Sequence, residues 1–361
     1  MTRKKILVLC PSPQGTNPGQ RLKYEQYFKS WADAGYDVTV SSFQTPRFWK
    51  VIYQPGHFPE KIFWTLFGYA RRIFDLFRIP FYDGVYIFLW VTPLGPPVME
   101  YLVSFLARHL VYDIDDMVFL GDSSSANRWI ARLKGTKKMI VLMQKADHVI
   151  VCTPKLDEFV SKYNPHRTDI SSTFNTDRFV PVVGYERNEV TTIGWTGSHS
   201  TVKYLHLLDN VFREVAKQRR IKLRVISNSV YECEGVDVEN IAWTEDKEIS
   251  DLHAMEIGVY PIPKEEWVLG KSGCKAITYM SCAIPAIATA YGTNYRVIEN
   301  GVDGLLVDNT DKEWVNAIIK LIDDVELRKR IGLKGREKVV KEFSIRANEG
   351  KYLAAFKQVF Q

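Results

Sequence analysis

Leu269-Gly-Lys-Ser-Gly-Cys-Lys-Ala-Ile-Thr-Tyr-Met-Ser-Cys-Ala-Ile-Pro-Ala-Ile-Ala-Thr289 reads as a glycine-flanked loop, a helix and an apolar strand in immediate succession. The loop spans Gly270 to Gly273, and Ser272 is placed to cap the helix that follows. Helical spacing sets Lys271, Lys275 and Thr278 (i, i+4, i+7) on one stripe. Ile277, Met280, Ser281 and Ile284 take the opposite side and can face a core. Two lysines beside the unpaired N–H groups of a helix N-terminus make an anion site. The same spacing also suits a solvated lysine face on an ordinary α/β helix.

Around this segment the pattern is of short apolar runs alternating with helices. Val190 to Trp195 reads as a strand, Thr196-Gly197-Ser198 as a tight loop and Val202 to Gln218 as a helix. Strands follow at Lys222–Ser227, Glu239–Trp243 and Ile257–Pro261, and helices near 312–323, 325–341 and 345–360. The first half opens the same way. Lys5 to Cys10 is a strand, Pro11 to Gly19 a Pro/Gly-rich loop, and a helix carries Tyr24, Tyr27, Phe28 and Trp31 toward a strand at Val38–Ser41. Alternation of this kind predicts two doubly wound parallel sheets covered by helices, an α/β class with a ligand cleft beyond the strands' carboxyl ends. Gly15, Gly19 and Arg21 then point toward a cleft, unless the loop is a plain connection. Asp113, Asp115 and Asp116 end a further strand at 110–114. Such carboxylates suit a divalent-metal diphosphate site, an acceptor for substrate hydroxyls, or a core and capping role. The Pro181/Gly184 break marks the domain boundary.

Arg47 to Arg78 has a different character. It is crowded with Phe, Trp, Ile and Tyr, and its six basic residues outnumber Glu60 and Asp75. An aromatic, basic, amphipathic segment suits an anionic membrane surface. The alternative is a helical insertion packed on the core with a basic outer face.

Composition sets the outer bounds. The 361 residues exceed one typical domain and fit two. With 46% hydrophobic and 25% charged residues the chain is ordinary globular material. A net charge of +6 allows a phosphate-bearing partner, while no aromatic-basic module or zinc pattern argues for nucleic acid. The five cysteines, Cys10, Cys152, Cys233, Cys274 and Cys282, are odd in number and scattered, as reduced thiols of a cytoplasmic protein are. The N-terminus leads straight into a strand without a signal-peptide core. The most apolar stretch, 85–107, is broken by Pro93, Gly95, Pro96, Pro97 and Glu100, so it is not a membrane span.

With these elements in order, the chain resembles the retaining glycosyltransferases of GT-B fold, family 4 (glycosyltransferase group 1). The likeness rests on Ile193–Leu205, on Lys271–Pro285, on Tyr112–Phe119 and on Gly301-Val-Asp-Gly-Leu-Leu-Val307. It is strongest over 193–344 and weaker over 4–175. It implies an acceptor domain over 1–180, interrupted by the insertion at about 47–80. A donor domain over 188–343 follows, and a final helix at 344–361 packs back on the first domain. The departures are specific. The family's E-x7-E pair falls on Gly270 and Thr278, its arginine after the first donor-domain strand on Trp195, and its acceptor-domain histidine on Asp115.

The resemblance implies transfer of a sugar from a nucleoside-diphosphate donor (UDP or GDP type) to an acceptor hydroxyl, with retention, and with no metal or cofactor. Gly197 and Ser198 would meet the diphosphate from one side, with Lys271, Ser272 and Gly273 on the other and Lys275 behind. Thr278 would reach a ribose hydroxyl, and Trp243 and Thr244 would line the base pocket. Lys271 would stabilise the leaving diphosphate, and Asp115 or Asp116 would orient sugar or acceptor hydroxyls. Closure of the two halves would exclude water. If the 47–80 insertion touches membrane, the acceptor is a lipid-linked glycan of surface-polysaccharide assembly, and the protein sits on the inner face of the membrane. A nucleotide-sugar epimerase of the same fold, or a non-catalytic nucleotide-sugar-binding subunit, are the competing readings.

Overall fold

In a computed structural model, residues 3–117, 136–182, 184–185 and 189–360 are described. Val118 and Phe119 of the Tyr112–Phe119 run lie outside them. The chain divides into two compact units, Met1–Thr173 with Asn348–Gln361, and Phe174–Ala347.

The first unit holds a six-stranded parallel sheet: β1 (Lys4–Cys10), β2 (Tyr36–Ser42), β3 (Gly84–Phe88), β4 (Leu110–Asp113), β5 (His148–Val151) and β6 (Arg167–Asp169). Their order is β2-β1-β3-β4-β5-β6. Every residue of β3, β4 and β5 is buried, because helices cover both faces. That is why these strands read as unbroken apolar runs rather than alternating ones. The aromatic residues expected on one helix face do pack together, although their segment is split into Pro18–Leu22, a 3-10 turn at Glu25–Tyr27 and Phe28–Asp33. Trp31 meets Tyr86, Tyr352 and Phe356, the last at 4.6 Å between ring centroids. Tyr352 and Phe356 belong to the Ile345–Val359 helix.

The second unit repeats the plan with β7 (Thr191–Thr196), β8 (Ile221–Ile226), β9 (Asp237–Ile241), β10 (Ile257–Tyr260), β11 (Ala286–Thr289) and β12 (Leu305–Val307). The order is β12-β11-β10-β7-β8-β9, again all parallel. The chain runs outward from β7 through β8 and β9, then outward the other way from β10, so the reversal lies between β7 and β10. In the first sheet it lies between β1 and β3. Ligands of doubly wound sheets bind beyond the carboxyl ends at such reversals. The loops after β1, β3, β7 and β10 are therefore where function is to be sought.

One expectation is inverted. The Arg47–Arg78 stretch forms two helices, Pro46–Ile52 and Phe58–Arg78, but the longer one does not turn a basic face outward. Arg72 and Asp75 are both 0% exposed, while Ile62, Phe63, Leu66, Phe67, Ile73, Phe74 and Phe77 face out. The cause is the hydrogen-bonding need at the strand ends. Arg72 donates through Nη2 to Cys10 O of β1 (2.8 Å) and through Nη1 to Ser41 O of β2 (3.1 Å). Its Nε donates to Val91 O beyond β3 at 2.9 Å. Asp75 Oδ2 accepts from Arg72 Nη1 (2.9 Å) and from Ser41 Oγ (2.7 Å). Buried carbonyls must find donors, and one inward-facing guanidinium serves three segments.

Arg72→Leu is expected to lower the stability of the first unit by about 3–5 kcal/mol, since it leaves three carbonyls without a donor and the buried Asp75 carboxylate with Ser41 and the half-buried Arg78 alone. The double variant Arg72→Leu/Asp75→Leu should recover part of that loss. Urea denaturation checks both. A single variant within about 0.5 kcal/mol of the parent, the scale of ordinary surface changes, would show that this network does not hold the helix.

Candidate functional site

In the second unit the two loops at the sheet reversal converge. Gly197 and Ser198 leave the end of β7, and Gly197 N–H donates to Ile226 O of β8 at 3.1 Å. A Cβ on Gly197 would lie 2.5 Å from the Trp195 ring and 2.7 Å from Lys275 Cε, so only glycine lets this backbone lie over them. The ammonium of Lys275 sits 5.5 Å from the centroid of Trp195 and 5.2 Å from that of Tyr260, in cation–π contact with both. Lys271 Nζ lies 5.5 Å over the ring of Trp267.

The helix after this loop spans Cys274–Ser281. Its N-cap is Gly273, in the left-handed region at φ 77°, and not Ser272 as the sequence suggested. Ser272 is buried with its Oγ 3.2 Å from Cys274 Sγ. Because the helix begins at Cys274, Lys271 lies in the loop rather than on the helical stripe shared by Lys275 and Thr278. The Thr278 hydroxyl donates to Cys274 O at 2.8 Å, which leaves its oxygen able to accept. Trp243 and Thr244 follow the edge strand β9. Trp243 is half-buried with its Nε1 donating to Glu248 Oε1 at 3.2 Å, and Thr244 is exposed.

The electrostatics single out Lys275. Burial pushes its ammonium down to about 8, with Cys274 opposing the shift and the neighbouring Lys271 adding to it. It also stands in the first turn of a helix, where the backbone dipoles oppose a cation. Among the described residues it makes no ion pair, and the rings of Trp195 and Tyr260 are its favourable contacts. An arrived anion would relieve all three disadvantages. This ring pair was not legible as a motif; the one signal was Trp195 standing where the resembled family has arginine.

In the first unit the loop after β1 is knitted around Gln20, which is buried. Gln20 Nε2 donates to Ser12 O (3.0 Å) and to Glu25 Oε1 (2.9 Å), and Ser12 N–H donates back to Gln20 Oε1 (2.9 Å). Gly15 N–H donates to Glu25 Oε2 at 2.9 Å. Burial raises the Glu25 carboxyl, opposed by Gln20, the Gly15 N–H and Arg21. Gly19 approaches Asp115 so closely that a Cβ would lie 2.6 Å from Oδ2. Gly19 and Asp115 are thus brought together, with Arg21 on the same short Pro18–Leu22 helix as Gly19 and Asp116 beside Asp115 in the loop after β4. Asp116 Oδ1 accepts from Met117 N–H at 2.8 Å. Asp113 does not join them. Its carboxylate is wholly buried, 3.2 Å from Lys23 Nζ, and accepts a hydrogen bond from Tyr86. Asp113 and Asp115 are therefore not presented together, and among the described residues no group of three or more His, Cys, Asp or Glu is placed to hold an ion.

Comparison with known proteins bears on the second unit and on the fold. Residues 190–324 match the family model described as Glycosyl transferases group 1. The capsular polysaccharide biosynthesis glycosyltransferase CapM of Staphylococcus aureus is 28% identical over 169 residues, 44% of this chain and 43% of its own length. The match thus spans less than half of that relative. Sucrose-phosphate synthase from Thermosynechococcus elongatus superposes with a TM-score of 0.71 at 17% identity, over 99% of both chains. Anabaena HepE, solved with UDP and glucose, gives 0.67 at 15% identity, over 99% of this chain and 100% of its own. At such identities the likeness is one of fold, and the fold is GT-B.

Lys275 is expected to titrate near pH 8, well below an ordinary lysine. NMR of the 13C-methylated protein, with Lys275→Arg to assign the resonance, measures this. Lys271→Gln should move the midpoint upward, because it removes a like charge. A midpoint in the usual lysine range in the parent protein would refute the local picture.

Proposed function

We propose, for a chain whose second unit carries a group 1 glycosyltransferase domain, that the protein moves a sugar from a nucleoside-diphosphate donor to an acceptor hydroxyl with retention of configuration. The observation that carries this reading is Lys275, a cation held by two aromatic rings beneath the Gly197 backbone at the sheet reversal. The donor's diphosphate, of UDP or GDP type, would lie between the Gly197-Ser198 loop and the Lys271-Ser272-Gly273 loop. Lys271 and Lys275 supply charge, and the helix N-terminus supplies N–H donors. As the bond from the anomeric carbon to the diphosphate oxygen breaks, its electrons pass to that oxygen, while the acceptor oxygen bonds the same face of the carbon and its proton passes to the departing phosphate. Positive charge there favours the departing group over the intact donor. Thr278 accepts from a ribose hydroxyl, and Trp243 and Thr244 flank the base. In this reading the lysines take the role of a metal, so none is required.

Asp115 and Asp116 of the first unit orient sugar or acceptor hydroxyls, with Gly15, Gly19 and Arg21 on the acceptor side. The acceptor is a lipid-linked or surface-polysaccharide glycan, and the protein works as a peripheral protein on the cytoplasmic face of an anionic membrane. The outward aromatic face of the Phe58–Arg78 helix supports this placement. Among the described residues no helix is long and apolar enough to cross a membrane. One observation favours a second reading, a nucleotide-sugar-binding subunit without turnover: Gly270 and Thr278 stand where the resembled family has its glutamate pair.

Calorimetry with UDP, GDP and their sugars, followed by a donor-by-acceptor activity screen, tests the proposal. Binding should survive a chelator, and Lys271→Ala or Lys275→Met should each weaken it about tenfold or more, the worth of a charge-assisted contact. The pH dependence has a definite sign. An anion favours protonated Lys275, whose free value is about 8. Affinity is therefore full below pH 8 and falls as pH rises through it, and Lys275→Arg should flatten that fall. Tight binding without transfer to any acceptor selects the subunit reading. A folded sample that binds no nucleotide refutes both.

A further inference from the structure

The Phe58–Arg78 helix turns its apolar stripe away from the domain it belongs to. Its outward residues recur at Phe58, Ile62, Phe63, Leu66, Phe67, Ala70, Ile73, Phe74 and Phe77, a helical period with no charge among them. At 21 residues the stripe runs about 30 Å. Phe81 prolongs it and is 79% exposed.

A second helix enlarges the surface. Val98–Leu106 packs beside the first, and it too exposes its apolar side: Val98, Tyr101, Leu102 and Phe105, the last 85% exposed. Leu94, in the loop before it, is tied to the first helix, since Tyr69 OH donates to Leu94 O at 2.7 Å. The inner faces of both helices are fixed by buried polar contacts. Arg72 and Asp75 hold one. On the other, buried Glu100 accepts from Thr92 Oγ1 at 3.1 Å and pairs with Lys138 Nζ at 3.7 Å. Neither helix can roll its aromatic side inward without abandoning these partners. An outward surface this large and this apolar is not maintained for contact with water.

The charges at its margin indicate what covers it. With Arg72 and Asp75 withdrawn into the domain, Arg47, Lys50, Lys61, Arg71 and Arg78 remain there with Glu60 as the one carboxylate of the 47–78 stretch. Arg71 lies over the Phe67 ring and Arg78 over the Phe74 ring, so cations border the aromatic stripe directly. Two copies meeting face to face would bring these basic margins together. A lipid surface meets both features, with acyl chains for the phenylalanines and phosphates for the cations.

We propose that the Phe58–Arg78 and Val98–Leu106 helices form a two-helix platform that inserts its phenylalanines into the interfacial region of a lipid bilayer. This rests on the membrane part of the function proposed above and goes beyond it. Attachment is by burial of apolar side chains, with basic residues adding a preference for anionic headgroups, rather than by charge alone.

Vesicle flotation of the full chain separates the cases. The probes are vesicles of phosphatidylcholine alone and of phosphatidylcholine with phosphatidylglycerol, each at low and high salt. Insertion predicts binding to both compositions, tighter with phosphatidylglycerol, with high salt removing the preference but not the binding. Phe63→Ser/Phe74→Ser/Phe105→Ser should lower partitioning at least tenfold and leave nucleotide affinity and the thermal midpoint unchanged, since all three side chains are exposed. Binding confined to phosphatidylglycerol and abolished by salt would overturn insertion while leaving the membrane reading standing. Failure of the folded protein to float with either composition would overturn both. A dimer in light scattering that the triple variant dissociates, with no vesicle binding, would assign the surface to a second copy instead.

Discussion

The guanidinium of Arg72 is the contact on which the first unit turns. Burying such a group is costly unless its donors are all met. Here it reaches Cys10 O, Ser41 O, Ser41 Oγ, Val91 O and Asp75 Oδ2. Apart from Asp75 of its own helix, those acceptors belong to the ends of β1 and β2 and to the segment beyond β3. One side chain therefore fixes the carboxyl edge of the sheet and the roll of the helix that carries it. The outward aromatic stripe is a consequence of that inward charge. If the helix were turned by half a revolution, the phenylalanines would be covered, but the carbonyls of Cys10, Ser41 and Val91 would lose their donor and the Arg72–Asp75 pair would be carried away from them.

Comparison of the inward-facing cations sets one of them apart. Lys23 pairs with Asp113 and donates to Ile170 O at 2.7 Å. Lys138 donates to Thr92 and Leu94 oxygens and lies beside Glu100. Arg328 pairs with Glu256 at 3.2 Å. Each has oxygen partners, as Arg72 does. Lys275 is held by rings and backed by a second lysine, and it stands at the end of a helix that repels it. That asymmetry sets Lys275 apart from the other cations, and it does so at the sheet reversal.

The two parallel sheets were legible because strands buried on both faces give unbroken apolar runs, and because the glycine-bearing loops recur at strand ends. What the sequence could not convey was direction. Amphipathic periodicity in Phe58–Arg78 identifies two faces but not which one the domain covers, since that depends on carbonyls supplied by strands far away in the chain. Asp113 likewise looked equivalent to Asp115 and Asp116, and only the fold brings Lys23 and Tyr86 to it. Ser272 satisfied the composition of a cap, yet Gly273 adopts the left-handed backbone at that point and takes the position. The Trp195–Lys275–Tyr260 contact joins three segments separated by up to eighty residues, and no local pattern announces it.

The missing glutamates acquire a physical meaning in this setting. A carboxylate at residue 270 or 278 would stand near Lys271 or on the same helix as Lys275, and part of the lysine charge would then be neutralised within the protein. Gly270 and Thr278 place no carboxylate at either position. Trp195, in place of an arginine, acts in the same sense: it removes a competing cation and offers Lys275 a ring face instead. The departures at residues 195, 270 and 278 thus act in one direction: two keep carboxylates away from the lysines, and the third gives Lys275 an aromatic face in place of a second cation.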